Sequence, residues 1–113
     1  MSEVPRPARP VRGSATGRPL MAALDLFGRR WILRIMWELR DGPLGFRPLQ
    51  RRCDDMSSSV LDQRLTELEK VALLRHTEGG YELTALGYEL GRAIQPLQAW
   101  SVRWARALDD EPR

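Results

Sequence analysis

Near the C-terminal end of this chain, Leu86, Leu90, Ala93, Leu97, Trp100 and Trp104 recur at intervals of 4, 3, 4, 3 and 4. Alternating steps of three and four align side chains in one row along a helix, the seam by which helices pack on one another. On a chain of only 113 residues such a seam, carrying two tryptophans, leaves a large apolar area uncovered in a single subunit. A homodimer is therefore expected. Pro96 falls inside the seam; having no N–H to give the preceding turn, it is expected to kink or split the helix.

The rest of the chain is punctuated in short periodic runs. Pro19 suits a first helical turn, and Leu20, Ala23, Leu24 and Phe27 are spaced for one face until Gly28 ends the run. A second helix is read over residues 29–40, with Ile32, Ile35, Met36 and Leu39 as its buried stripe and Asp41, Gly42 and Pro43 as the stop. Trp37 points away from that stripe, which calls for cover by another helix or subunit rather than a ligand. A short helix over 46–53 turns Phe46 and Leu49 inward and Arg47, Arg51 and Arg52 outward. Asp54, Asp55 and Met56 make a turn. Ser57 reads as an N-cap to a helix whose inner stripe is Leu61, Leu65, Leu68 and Ala72. Leu73–His76 and Tyr81–Thr84 are strand-like, and the paired glycines of Thr77, Glu78, Gly79 and Gly80 between them predict a tight hairpin. The long seam helix follows from near Thr84.

Residues 1–18 differ from all of this. They hold three of the eight prolines, with Gly13, Ser14, Thr16 and Gly17, and almost nothing apolar, and so are expected to be a disordered basic arm. The net charge of +3 falls wholly within the first 20 residues, where four arginines face Glu3; the remaining chain is balanced. The arm either adds sequence-independent affinity for DNA or serves as a solubilising leader. A balanced body does not attract nucleic acid in bulk, so any DNA contact must come from local clustering. The organisation expected is an arm at 1–18, one domain at 19–108 ending in a dimerisation helix, and a tail at 109–113. No apolar run approaches the roughly 18 residues of a membrane span, and the first residues lack the apolar stretch of a secretory signal. With a single cysteine unable to pair within the chain, a cytoplasmic setting without membrane contact is expected. One histidine and one cysteine assemble no metal cluster or nucleophile–base pair, and no glycine-rich phosphate loop is present. Neither an enzyme nor a cofactor is expected.

The order helix, helix, short helix, tight turn, polar-faced helix, hairpin, long helix outlines a winged helix-turn-helix. In such a module the helix after the turn enters the major groove, since a helix of about 10–12 Å matches a groove of about 12 Å. Ser57, Ser58, Ser59, Asp62, Gln63, Arg64 and Thr66 are the candidates for base edges and phosphates there. Ser57 is read first as a cap, any anion meeting it through the same helix N-terminus. Arg47 is the candidate phosphate contact ahead of the turn, against a solvated face. Arg75 and His76 lead into the hairpin tip, which reaches neighbouring backbone or minor groove; for His76 an exposed strand position without function competes. Cys53 has Arg51 and Arg52 beside it, and nearby positive charge lowers a thiol pKa; the competing reading is a small half-buried residue at a helix end.

Four blocks carry a resemblance: Leu24-Asp25-Leu26-Phe27-Gly28-Arg29-Arg30-Trp31; Asp41-Gly42-Pro43 with Phe46; Leu61-x-x-Arg64-Leu65-x-x-Leu68-Glu69; and Leu83-Thr84-x-x-Gly87. From about Arg18 to Trp104 the chain resembles the HxlR group of winged-helix transcriptional regulators, related in architecture to MarR proteins. Three departures stand out. Many members carry a cysteine before the proline matching Pro19, used for sensing oxidants or electrophiles, where this chain has Arg18. The arginine often found before the phenylalanine matching Phe46 is Gly45 here, with Arg47 one residue beyond. The wing, commonly several residues longer and proline-bearing, is cut to Thr77 through Gly80.

Together these readings predict a mainly α fold with a small β-hairpin, a dimeric winged helix-turn-helix. The function expected is a sequence-specific DNA-binding transcriptional regulator, a repressor on a palindromic operator in double-stranded DNA. Leu20, Leu24, Trp37, Leu97, Trp100 and Trp104 are the expected dimer residues. A small aromatic ligand entering between the dimer helices and loosening DNA is compatible with this. The alternative is a winged-helix module for protein–protein assembly that binds no DNA.

Overall fold

Pro19 opens the first helix, α1 (Pro19–Phe27), and Gly28 closes it by donating its N–H to the Leu24 carbonyl at 3.0 Å. The computed structural model describes residues 4–15 and 17–110. The expected arm and tail are thus covered only in part: residues 1–3, 16 and 111–113 lie outside the described residues. Along the arm, Val11 and Ser14 form a bridge, Ala8 donates its N–H to the Gly17 carbonyl at 2.8 Å, and the Ser14 hydroxyl accepts from the N–H groups of Gly17 and Arg18. Arg12 donates its N–H to the Asp25 carboxylate of α1 at 3.2 Å.

The face α1 buries is not the one its spacing predicts. Ala22 and Leu26 are buried, Ala23 and Phe27 half-buried, and Leu20 and Leu24 turned to solvent. The second helix also starts late: Arg29 to Trp31 form a turn, Trp31 is left-handed at φ 79°, and α2 spans Ile32–Glu38. Its stripe of Ile32, Ile35, Met36 and Leu39 is buried as expected. After Gly42 come α3 (Phe46–Arg52) and α4 (Ser58–Lys70), which brings Leu49, Leu61, Leu65 and Leu68 against the α2 stripe. Each fully buried leucine contributes about 1.5–3 kcal/mol. The inner stripe of α4 stops one turn earlier than predicted, because the helix ends at Lys70 and Ala72 is exposed and left-handed at φ 65°.

Strands β1 (Leu74–Thr77) and β2 (Gly80–Leu83) pair antiparallel with Leu74 opposite Leu83 and Thr77 opposite Gly80, leaving a loop of Glu78 and Gly79 only. Each strand is displaced by one residue from the predicted bounds. The last helix, α5 (Ala85–Asp109), starts at an N-cap whose side chain works in two directions. Thr84 accepts from the Gly87 N–H at 3.1 Å and donates its hydroxyl to the Ala72 carbonyl at 2.7 Å, pinning α5 to the end of α4. A Cβ on Gly87 would lie 2.3 Å from the Leu73 carbonyl oxygen, so only glycine allows this approach. Pro96 does not split the helix, which continues through it. No helix among the described residues is long and apolar enough to cross a membrane.

Candidate nucleic-acid interface

The turn between α3 and α4 is built from residues that tolerate unusual backbone. Asp54 and Asp55 both stand in the left-handed region, at φ 59° and 54°, where aspartate is favoured over most residues. Asp55 donates its N–H to the Gln50 carbonyl at 3.0 Å, and the Gln50 amide donates to the Met56 carbonyl at 2.8 Å. From α2, the Arg34 guanidinium reaches the Arg52 carbonyl at 2.6 Å and the Asp54 carboxylate at 3.3 Å while also bonding Glu38 at 2.9 Å. Beneath it Cys53 is completely buried, and burial pushes its thiol up to about 11 despite the neighbouring Arg34. It is a core residue, more deeply covered than the half-buried position expected.

With its entry fixed, α4 begins at Ser57, whose hydroxyl accepts from the Val60 N–H at 3.3 Å and lies 2.9 Å from that of Ser59. Ser57, Ser58, Ser59, Asp62, Gln63 and Thr66 are all exposed; Ser59, Gln63 and Thr66 stand opposite Leu61, Leu65 and Leu68, Asp62 beside them, and Ser57 and Ser58 at the helix start. The structure brings these six together as one small, polar surface. Free N–H groups and the helix dipole make its start favourable to anions. Arg47, in the first turn of α3, is exposed, as are Arg51 and Arg52 at its end.

Arg64 is placed elsewhere. Its Nε donates to the Arg30 carbonyl at 2.9 Å and its Nη1 to Glu67, which also receives the Arg29 guanidinium. The side chain is largely covered and faces the turn between α1 and α2. Sequence reasoning missed Arg29, Arg34 and Glu67. The available signal for Glu67 was its place beside Leu68, near the apolar stripe, with an arginine three residues before it.

The hairpin packs its flank on the preceding loop. Leu44 donates to the Tyr81 carbonyl at 3.0 Å and accepts from the Tyr81 N–H at 2.8 Å, adding a one-residue third strand. Gly80, at φ 116°, is required there, since a Cβ would stand 2.4 Å from the Leu44 carbonyl oxygen. Arg75 and His76 are exposed but engaged across the strands: Arg75 pairs with Glu82 at 2.7 Å, and the His76 ring stacks on Tyr81 with centroids 4.0 Å apart. Burial, then Glu69 and Asp62, raise the Tyr81 phenol above its ordinary value.

On α5 the seam divides. Leu86, Leu90 and Ala93 line a cleft of about 480 Å³ with the arm and α1, whereas Leu97, Trp100 and Trp104 are exposed, the two indoles stacked 5.6 Å apart. Leu20 and Leu24 of α1 are exposed as well. Trp37 is not with them. It lines a separate cleft of about 600 Å³ between α2 and α5, with Met36, Tyr88 and Ile94, and carries the Arg40 guanidinium 3.9 Å above its ring.

The model of the HxlR-like helix-turn-helix family matches residues 26–109. The HTH-type transcriptional regulator YodB of Bacillus subtilis (strain 168) is 31% identical over 87 residues, covering 71% of this chain and 78% of that protein. The crystal structure of quinone-bound YodB superposes with a TM-score of 0.72 at 32% identity, over 75% of this chain and 97% of that one. A structure described as a MarR-family transcriptional regulator from Enterococcus faecalis V583 gives 0.73 at 29% identity, over 82% and 91%.

Proposed function

The chain belongs to the HxlR-like helix-turn-helix family of transcriptional regulators, and from that premise we propose that it binds a palindromic operator as a homodimer and represses transcription. One observation carries the reading. Ser58, Ser59, Asp62, Gln63 and Thr66 are exposed polar residues on the helix after the turn, and Arg47, Arg51 and Arg52 are exposed on the helix before it. Hydroxyl and amide groups there match base edges, and Arg47, Arg51 and Arg52 match phosphates.

Dimerisation is supported by the exposure of Leu20 at 67%, Leu24 at 50%, Trp100 at 48% and Trp104 at 53% in the single subunit. Two half-sites also require two reading helices about 34 Å apart, which one subunit does not provide. The interface we infer uses α1 and the C-terminal part of the seam; Trp37, on another side of α5, lies outside it. The exposed apolar cleft beside Trp37 and Tyr88 fits a small aromatic ligand whose binding releases DNA, and the YodB structure with bound quinone favours such chemistry. A thiol adduct is not the route here, since Arg18 occupies the position of the sensing cysteine and Cys53 is buried.

The experiment is selection of bound sequences from a randomised duplex pool, followed by titration over a range of salt. A two-fold symmetric motif and salt-dependent affinity are expected. Retention of no sequence above background would favour the assembly module without DNA binding.

A further inference from the structure

Glu67 is buried, at 6% exposure, and no other charged residue among the described ones is buried to that degree. A carboxylate taken out of water persists only where partners compensate it. Here each oxygen has its own arginine, Arg29 on one and Arg64 on the other, and Arg64 further bonds the Arg30 carbonyl. Arg29 and Arg30 belong to the turn between α1 and α2. Two bonds therefore tie the middle of α4 to that turn, Arg29 to Glu67 and Arg64 to the Arg30 carbonyl, and the Arg64–Glu67 pair within α4 links them.

Arg64 is also the one arginine of α4. At about 100° per residue it projects from the helix one step around from Gln63, on the flank of the polar face. Left free, its guanidinium would be available to any phosphate and to guanine acceptors. We propose that Glu67 is a positioning residue for sequence readout: it holds Arg64 against the α1–α2 turn, so that α4 offers DNA amide, hydroxyl and carboxylate groups but no guanidinium. The inference rests on the DNA-binding reading above and deepens it. With Arg64 withdrawn, discrimination falls to Gln63, whose amide matches adenine, and to Asp62, whose carboxylate accepts from the cytosine amino group. The operator half-site is therefore expected to place adenine and cytosine under those two residues.

The test compares Glu67→Gln, Arg64→Ala and the double variant with the parent protein, in sequence selection and in duplex titration over salt, with thermal melting to record folding. In Glu67→Gln the freed arginine should steepen the salt slope by about one unit and reduce discrimination against random duplex by about tenfold. The double variant should return to the parental slope, which a purely structural loss would not do. Arg64→Ala alone should keep the parental slope, because the side chain contacts no phosphate. A slope lower by one unit in Arg64→Ala, or an unchanged slope and motif in a folded Glu67→Gln, overturns the proposal. Should Glu67→Gln fail to fold, the Arg64→Ala slope decides alone. Parent protein that selects no motif overturns the DNA-binding reading together with this one; parent that selects a motif while the variants fail overturns this one only.

Discussion

Replacing Trp100 and Trp104 together by alanine is expected to weaken the dimer and operator binding in parallel while leaving the subunit folded. Each indole is about half exposed in the single subunit, at 48% and 53%, so roughly half of each side chain is open to water or to the proposed partner. For a tryptophan that is about 100 Å² of apolar surface, or about 2.5 kcal/mol at 25 cal/mol per Å². In the proposed two-fold pair four such rings would meet, giving an upper value of about 10 kcal/mol before the costs of association and ordering. Even a third of it, about 3 kcal/mol, lowers dimer affinity on the order of 100-fold. The subunit itself should tolerate the change, because neither tryptophan belongs to the cluster around Ile35, Leu49, Leu61 and Leu65. Sedimentation equilibrium reads the mass, circular dichroism the helicity, and duplex titration the operator affinity. A double variant that stays a tight dimer would refute an interface on this part of α5. One that unfolds outright would make the two tryptophans supports of the subunit instead.

Gln63→Ala should cost about 1–3 kcal/mol of specific binding and relax one position per half-site, to be read by sequence selection; an unchanged motif removes Gln63 from the readout. Arg47→Ala should weaken binding to all sequences alike and lower the salt slope by about one unit, whereas a parental slope would mean a merely solvated side chain. The Cys53 thiol titrates at about 11 rather than near 9, so the stability its neutral form contributes is complete below pH 9 and declines as pH rises toward 11. Folded protein should accordingly resist alkylation at pH 7.5, and rapid modification there, or a peroxide-induced loss of DNA binding abolished by Cys53→Ser, would contradict the assignment. Gly87→Ala should destabilise the fold by about 1–3 kcal/mol or more through collision with the Leu73 carbonyl; a melting temperature equal to the parent would show that α5 shifts freely.

Periodicity and punctuation carried much of this architecture into view. The stripe of Ile32, Ile35, Met36 and Leu39, the Ser57 cap and the glycine-linked hairpin are local signals, each resting on residues within one turn or one loop of one another. The polar face of α4 was legible for the same reason, being the complement of Leu61, Leu65 and Leu68. Partner choice was not. Nothing near Arg64 in the chain distinguishes a groove-facing arginine from one bonded to Arg30 and Glu67, since those contacts close across the fold. For Leu20 and Leu24, apolar spacing reports a surface that wants cover without saying whether the same subunit provides it, and in the single subunit both are exposed. Ala72 fitted the i,i+4 count yet fell beyond the helix, which ends at Lys70, and its left-handed backbone turns the chain toward β1. The left-handed backbone at Trp31 had no local sequence signal at all.

Pro96 gives α5 a mechanical property. The missing N–H at this position leaves the Arg92 carbonyl without its helical donor, so the helix is most easily flexed at that level. Trp104 stands eight residues further on, about 12 Å along the axis at 1.5 Å per residue. A change of bend of about 10° there moves Trp104 by about 2 Å, and in a two-fold pair the displacement acts from both arms of the lever. Arg92, Ile94 and Gln95, which bracket this fulcrum, also line the cleft beside Trp37. In the dimer proposed above, a ligand filling that cleft would press on this level of the helix, where a small angle is magnified into the distance between two reading heads.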